Sequence, residues 1–135
     1  MNPAVIFGDI EVALADHLAA VLADRGVSVP VVNAVPAERP TRFVRVARIG
    51  GLTGNLVTDR PRVVAECNDT LGTGAHDLGA LVRALIGAIA PGYVGSVWVD
   101  KVKDLGLISS PDPDTNTPRY IVTAELFTTG TALPD

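Results

Sequence analysis

The sequence predicts an α+β domain in which two helices pack on one face of a mixed, mainly antiparallel four- to five-stranded sheet, with long loops. Three observations carry that expectation. Two stretches space their apolar residues by three and four, the period that gathers side chains on one helix face. Between and after them run β-branched segments of alternating polarity, as half-buried strands do. An amphipathic helix must bury its stripe against something, and a sheet is the simplest flat partner for two of them.

The first helix is expected from Asp9, a good capping residue, to Gly26, a residue that ends helices at positive φ. Ile10, Leu14, Leu18, Val21 and Leu22 form its stripe, Glu11, Asp16 and Asp24 face away, and His17 packs beside the stripe. Val27 to Val35 is valine-rich but interrupted by Pro30, which suits an edge strand or a bent entry into the sheet. After a polar connection over Pro36–Pro40, Thr41–Ile49 reads as a strand, with Val44 and Val46 on one face and Phe43, Ala47 and Ile49 on the other. Arg42, Arg45 and Arg48 interrupt it. Such a strand presents either a solvated outer face or a surface that meets acidic partners.

GGLTGNLVTDRP, residues 50–61, is a loop or an extended hairpin tip. Arg62–Asn68 returns as a strand, with Val63, Ala65 and Cys67 on one side and Arg62, Val64, Glu66 and Asn68 on the other. A Gly-rich turn then leads into AHDLGALVRALIGAIA, where Leu78, Leu81, Val82, Leu85 and Ile89 share a helix face and Pro91-Gly92 makes the stop. Gly79 and Gly87 each weaken helix propensity by ~1 kcal/mol relative to Ala, so tertiary packing must hold this helix. Tyr93–Lys103 is a strand carrying Val97, Val99, Val102 and Trp98, and residues 104–118 are a proline- and aspartate-rich excursion. Arg119–Thr129 is the last strand, with Tyr120, Val122, Ala124 and Leu126 on one face, and residues 129–135 are expected to be a loose tail. A right-handed crossover through the second helix makes the strands around it parallel and sends the two long loops to opposite ends of the sheet. Two arms suit a subunit that touches neighbours better than an enzyme with one pocket.

Composition narrows the function classes. The 135 residues make one domain, 1–135, with enough chain for a real core. A net charge of −4 argues against coating nucleic acid. One cysteine excludes an intrachain disulfide and a cysteine-based metal site. No apolar run reaches the ~20 residues of a membrane span, and the amino end lacks the basic start and cleavage site of a secretory leader, so folding in a reducing cytoplasm is expected.

No residue set spells out a chemistry. Gly72-Thr73-Gly74 resembles a phosphate-binding turn, but Asp77 stands where the dinucleotide fingerprint needs a small residue, so a helix-entry turn is the better reading. His76-Asp77 has no further ligand at helical spacing; Asp77 serves the helix N-terminus and His76 the surface. Cys67 reads as a buried inert thiol, and Ser96 lacks the turn of a nucleophile elbow. Asp112, Asp114 and Asn116 lack the closing glutamate of a calcium loop. The expectation is no catalytic residue, no metal and no cofactor.

Helix, strands, helix, strands is the order, and its phrases TRFVRVARIGG, PRVVAECN running into GTGAHDLGALVRALI, and PRYIVTAELFTTG resemble the tail terminator proteins of long-tailed bacteriophages, particularly those of phages infecting actinobacteria. The resemblance spans roughly residues 5–130. It implies a virion structural protein, assembled in the host cytoplasm, that forms a ring (a hexamer in that family) on the head-proximal end of the tail tube. There it stops polymerisation of the tube protein, meets the head connector or neck protein, and lets genomic DNA pass through its lumen without specific binding. A heterologous ring needs two different patches per subunit. Charge and loop position nominate Arg42, Arg45, Arg48, Arg60, Arg62 and Arg119 to meet Asp59, Glu66, Asp112, Asp114 or Glu125 of a neighbour. A head–tail joining or head-completion protein is the nearest alternative, and a small intracellular ligand-binding domain or enzyme a more distant one.

Overall fold

A computed structural model describes residues 3–134. Helix α1 (Ile10–Asp24) starts at Asp9, whose carboxylate accepts hydrogen bonds from the backbone N–H groups of Glu11 and Val12 at 3.1 and 3.3 Å. It ends where Gly26 takes a φ of 77°. Ile10, Leu14, Ala15, Leu18 and Leu22 are buried, with Val21 at the edge of the stripe.

Helix α2 (Gly72–Gly87) begins three residues before Ala75, so Gly72-Thr73-Gly74 form its first turn instead of preceding it. Its buried face is Ala75, Leu78, Gly79, Val82 and Ile86, while Leu81 and Leu85 flank the core and Ile89 is buried from beyond the helix end. The face is thus rotated toward small residues, which let the helix approach the sheet. A Cβ on Gly79 would stand 3.1 Å from both Leu107 Cδ1 and Tyr120 Cβ.

Four long strands build the sheet: β3 (Phe43–Gly50), β5 (Arg62–Asn68), β7 (Val97–Ser109) and β8 (Arg119–Thr129). Three short ones extend it, β2 (Val31–Val32), β4 (Thr58–Asp59) and β6 (Gly92–Val94), in the order β2-β3-β5-β8-β7-β6 with β4 against the end of β8. The strand count exceeds the expected four to five because β4 lies within the expected 50–61 loop and the stretch expected as one strand over Tyr93–Lys103 holds the β6–β7 hairpin, while β2 is the core of the expected edge segment Val27–Val35. Among the described residues only β2–β3 is parallel; every other pairing is antiparallel. Because β5 and β7 both run antiparallel to β8, they are parallel to each other, but the strand that directly follows α2 is β6, which turns back into β7 as a hairpin and is antiparallel to both. Residues 51–61 and 110–118 therefore leave the sheet at opposite ends. A separate ribbon joins β1 (Val5–Ile6) to β9 (Thr131–Ala132), so the tail expected to be loose is tied down through Ala132; residue 135 lies outside the described residues.

Register fixes the faces. Val44, Cys67 and Tyr120 lie in one row and Val46, Ala65 and Val122 in the next, all toward the helices. With Val63, Ala124 and Leu126 they meet both helix stripes in one core. Each fully buried aliphatic side chain there contributes ~1.5–3 kcal/mol. The opposite face carries Arg45, Arg62, Glu66, Glu125, Lys101 and Lys103, and no helix covers it. Beyond β6 the outer edge of β7 is open from Asp100 onward, with irregularities at Val99/Lys101 and Asp104/Gly106 that break the flat edge on which strands aggregate. No helix among the described residues is long and apolar enough to cross a membrane.

Candidate assembly surface

The uncovered face is organised by ion pairs across neighbouring strands. Arg45 on β3 and Glu66 on β5 are register partners, and Arg45 Nη1 donates to Glu66 Oε1 at 3.1 Å. Arg119 reaches the other Glu66 oxygen at 3.6 Å and Asp112 at 3.9 Å. Toward the other end, Glu125 accepts from Arg60 Nη2 at 2.7 Å and lies 4.0 Å from Arg62 Nη2. Arg60, with Lys103 and Arg62 nearby, holds the Glu125 carboxyl below its ordinary pKa against the opposing effect of burial. Arg39 stacks over Phe43 at 5.0 Å, and Arg60 and Lys101 stack over Phe127 at 4.7 and 5.5 Å.

The two ends differ in how they are tied. In the 51–61 loop, Arg48 grips Asp59 with two hydrogen bonds of 2.7 and 3.2 Å and also donates to the carbonyls of Gly50 and Gly51. Asp59 is 4% exposed, so this carboxylate depends on its arginine. Beyond that anchor the tip is apolar and bare: Leu52 is 83% exposed, and Leu56 and Val57 about half. A cleft of about 420 Å³ opens beside it, between the Gly51–Gly54 backbone, Arg60, Arg62 and Glu125. In the 110–118 loop, Asp112 is buried and accepts from the backbone N–H groups of Asp114 and Thr115 and from Arg39 Nη2. Those N–H groups and the Arg39 guanidinium keep the Asp112 carboxyl below its ordinary range. Asp114 is exposed and in no ion pair among the described residues.

Of the residues nominated from sequence, Arg45, Arg48, Arg60, Arg62 and Arg119 thus pair with Asp59, Glu66, Asp112 and Glu125 inside one chain, and Arg42 pairs with Asp69 at 3.2 Å. The sequence reading did not include Arg39, Asp69, or the exposed bidentate pair of Arg83 on α2 with Asp104 on β7. Nor did it single out Lys101 and Lys103, although their spacing of two on a strand places both on one face.

The remaining chemistry reads simply. Asp69 lies against Gly74 in the first turn of α2, so a carboxylate sits where a phosphate would have to approach. His76 contacts Asp77 at 3.2 Å on the surface and meets Tyr120 edge-on. Burial, with Glu66 adding to it, pushes the Cys67 thiol up to about 12, so it does not act as a nucleophile near neutrality. No cluster of three metal-ligating side chains occurs among the described residues.

No protein-family profile and no curated sequence matches this chain. A solved structure does match: a chain of "Virion of native gene transfer agent (GTA) particle", with a TM-score of 0.64 and 14% identity over 90% of this chain and 95% of that one. The fold is shared with a virion chain. At that identity the likeness speaks for the backbone architecture, and it spans both chains almost end to end.

Proposed function

We propose that this protein is a structural component of a virion and acts as a tail terminator. It forms a ring on the head-proximal end of the tail tube, stops the tube's growth, and offers a surface to the neck. The observation that carries this reading is the near full-length fold likeness to a chain of a virion particle. Three features support the finer role. The molecule has different loops at opposite ends of one sheet, as a piece between two polymers needs. One of them ends in exposed Leu52, Leu56 and Val57, apolar side chains that a partner would bury. The cleft beside that loop is lined by loop backbone and the paired charges of Arg60, Arg62 and Glu125, which suits contact by shape more than turnover. Sixfold closure, tube protein and neck protein as partners, and passage of DNA through the lumen follow from the resemblance to tail terminators. A head–tail joining protein is the alternative reading of the same fold.

Disrupting the gene in a particle-producing strain tests the proposal. Negative-stain microscopy is expected to show headless tails of irregular, excessive length. Tails of normal length that fail to join heads would assign the chain to head–tail joining, and intact particles would remove it from the virion.

A further inference from the structure

The chain's charges are sorted between its two faces. α1 and its N-cap carry four carboxylates, Asp9, Glu11, Asp16 and Asp24, against one cation, Arg25 at the C-cap. Val12, Asp16, Ala20 and Asp24 are all exposed and, at spacings of four, form one outward stripe. Asp24 is the last helical residue, at the negative end of the helix dipole, and the C-cap residue Arg25 is the one cation next to it in sequence. The opposite surface of the molecule is the uncovered sheet face. Every arginine except Arg25 lies in an ion pair within the chain, yet Lys101 and Lys103 lie in none among the described residues. Both lysines are exposed on the outer strand β7, Lys103 across from Glu125 and Lys101 over Phe127, with exposed apolar Ile108 further along the same strand. The sheet face thus carries a surplus of cations, and the α1 side, Arg25 apart, a surplus of carboxylates.

We propose that the Lys101/Lys103 sheet face docks onto the Asp16/Asp24 stripe of α1 in a second copy of this chain. The inference rests on the reading that the protein self-associates and says which surfaces meet. A face matched to the opposite side of the same molecule gives a heterologous contact, which propagates and can close into a ring, unlike a patch that matches itself. The matched charges orient the two copies, and Val12 on one side and Ile108 on the other supply apolar area beside them.

Two double variants test this: Lys101→Glu with Lys103→Glu, and Asp16→Lys with Asp24→Lys. All four side chains are exposed and outside the core, and unchanged thermal midpoints would confirm intact folds. Sedimentation of wild type at low and high salt is expected to show association that weakens as salt screens the contact. Each variant alone should lose about tenfold or more in association constant. An equimolar mixture of the two should regain it, because every sheet face then finds a helix of opposite sign. Variants that assemble like wild type, or a mixture that does not recover, would overturn the pairing while leaving self-association standing. Wild type that stays monomeric at every concentration, alone and with tube protein, would remove both. Binding of duplex DNA by wild type at physiological salt, lost in the lysine variant, would assign the face to nucleic acid instead.

Discussion

The two faces of the sheet are built from the same strands by opposite means. Toward the helices, β3, β5 and β8 present Val44, Val46, Val63, Ala65, Val122, Ala124 and Leu126, and each is almost completely buried. Away from the helices, the alternate residues of those strands include Arg45, Arg62, Glu66, Arg119 and Glu125, held in ladders of charge. The apolar face contributes folding free energy in proportion to area. Half-exposed ion pairs add little stability but fix side-chain positions and present a patterned surface. The helix-facing side supplies most of the core, and the other side is polar and charged apart from buried Phe43, Ala47 and Val64.

That division sets a gradient of mutational effect. Leu18→Ala empties a site that is 0% exposed beneath α1 and is expected to cost ~2–5 kcal/mol in denaturant unfolding. A loss under 1 kcal/mol would mean that the helix layer is not a packed core. Arg48→Ala leaves the Asp59 carboxylate without its guanidinium at 4% exposure, with an expected cost of ~1–3 kcal/mol. Charge reversal at Arg48 therefore disturbs the fold before it reports on any partner. Arg45→Ala breaks a pair whose side chains are 34% and 18% exposed, and a change of only ~0.2–1 kcal/mol is expected. If Arg45→Ala proved as costly as Leu18→Ala, the contrast between the faces would be gone.

Acid sharpens the same contrast. Asp104 and Asp112 titrate below their ordinary 3.8 and Glu125 below its ordinary 4.5, the first held by Arg83, the others by the partners named above. Carboxyls depressed in the folded state stabilise it fully above their unfolded values and lose that stabilisation as pH falls through the folded ones. His17 works in a different window. Burial lowers its pKa from 6.5, so the stability tied to its neutral ring is complete above that value and declines as pH drops below it. Unfolding midpoints are expected to slope gently below pH 6.5 in wild type and to lose that slope in His17→Gln, while the steeper acid loss remains in both. A slope unchanged by His17→Gln would place its origin elsewhere.

How much of this was legible beforehand depends on periodicity. α1 was readable to its cap because Asp9, five apolar residues at helical spacing and Gly26 all point one way. The inward faces of β5 and β8 were readable because Val63-Ala65-Cys67 and Tyr120-Val122-Ala124-Leu126 alternate cleanly. On α2 the sequence shows Leu78, Val82 and Ile89 as inward, with Leu81 and Leu85 at the edge of the core, but it does not show Ala75 and Gly79, which bury by closeness and carry little hydrophobic signal. β2 shows as part of the expected edge segment Val27–Val35 and β6 only as the start of a longer expected strand, β4 is too short to show a period, and β9 depends on β1 across the whole chain. The surface was less legible for the same reason. Sequence gave which charges occur, but Arg39 finding Asp112 across 73 positions is a product of topology alone.

Native mass spectrometry of the purified protein over a range of concentrations, with and without tail tube protein, tests the central claim most directly. A single closed assembly of defined subunit number, six in the tail-terminator reading, is the expected species. A chain that is monomeric or only a tight dimer throughout would contradict it.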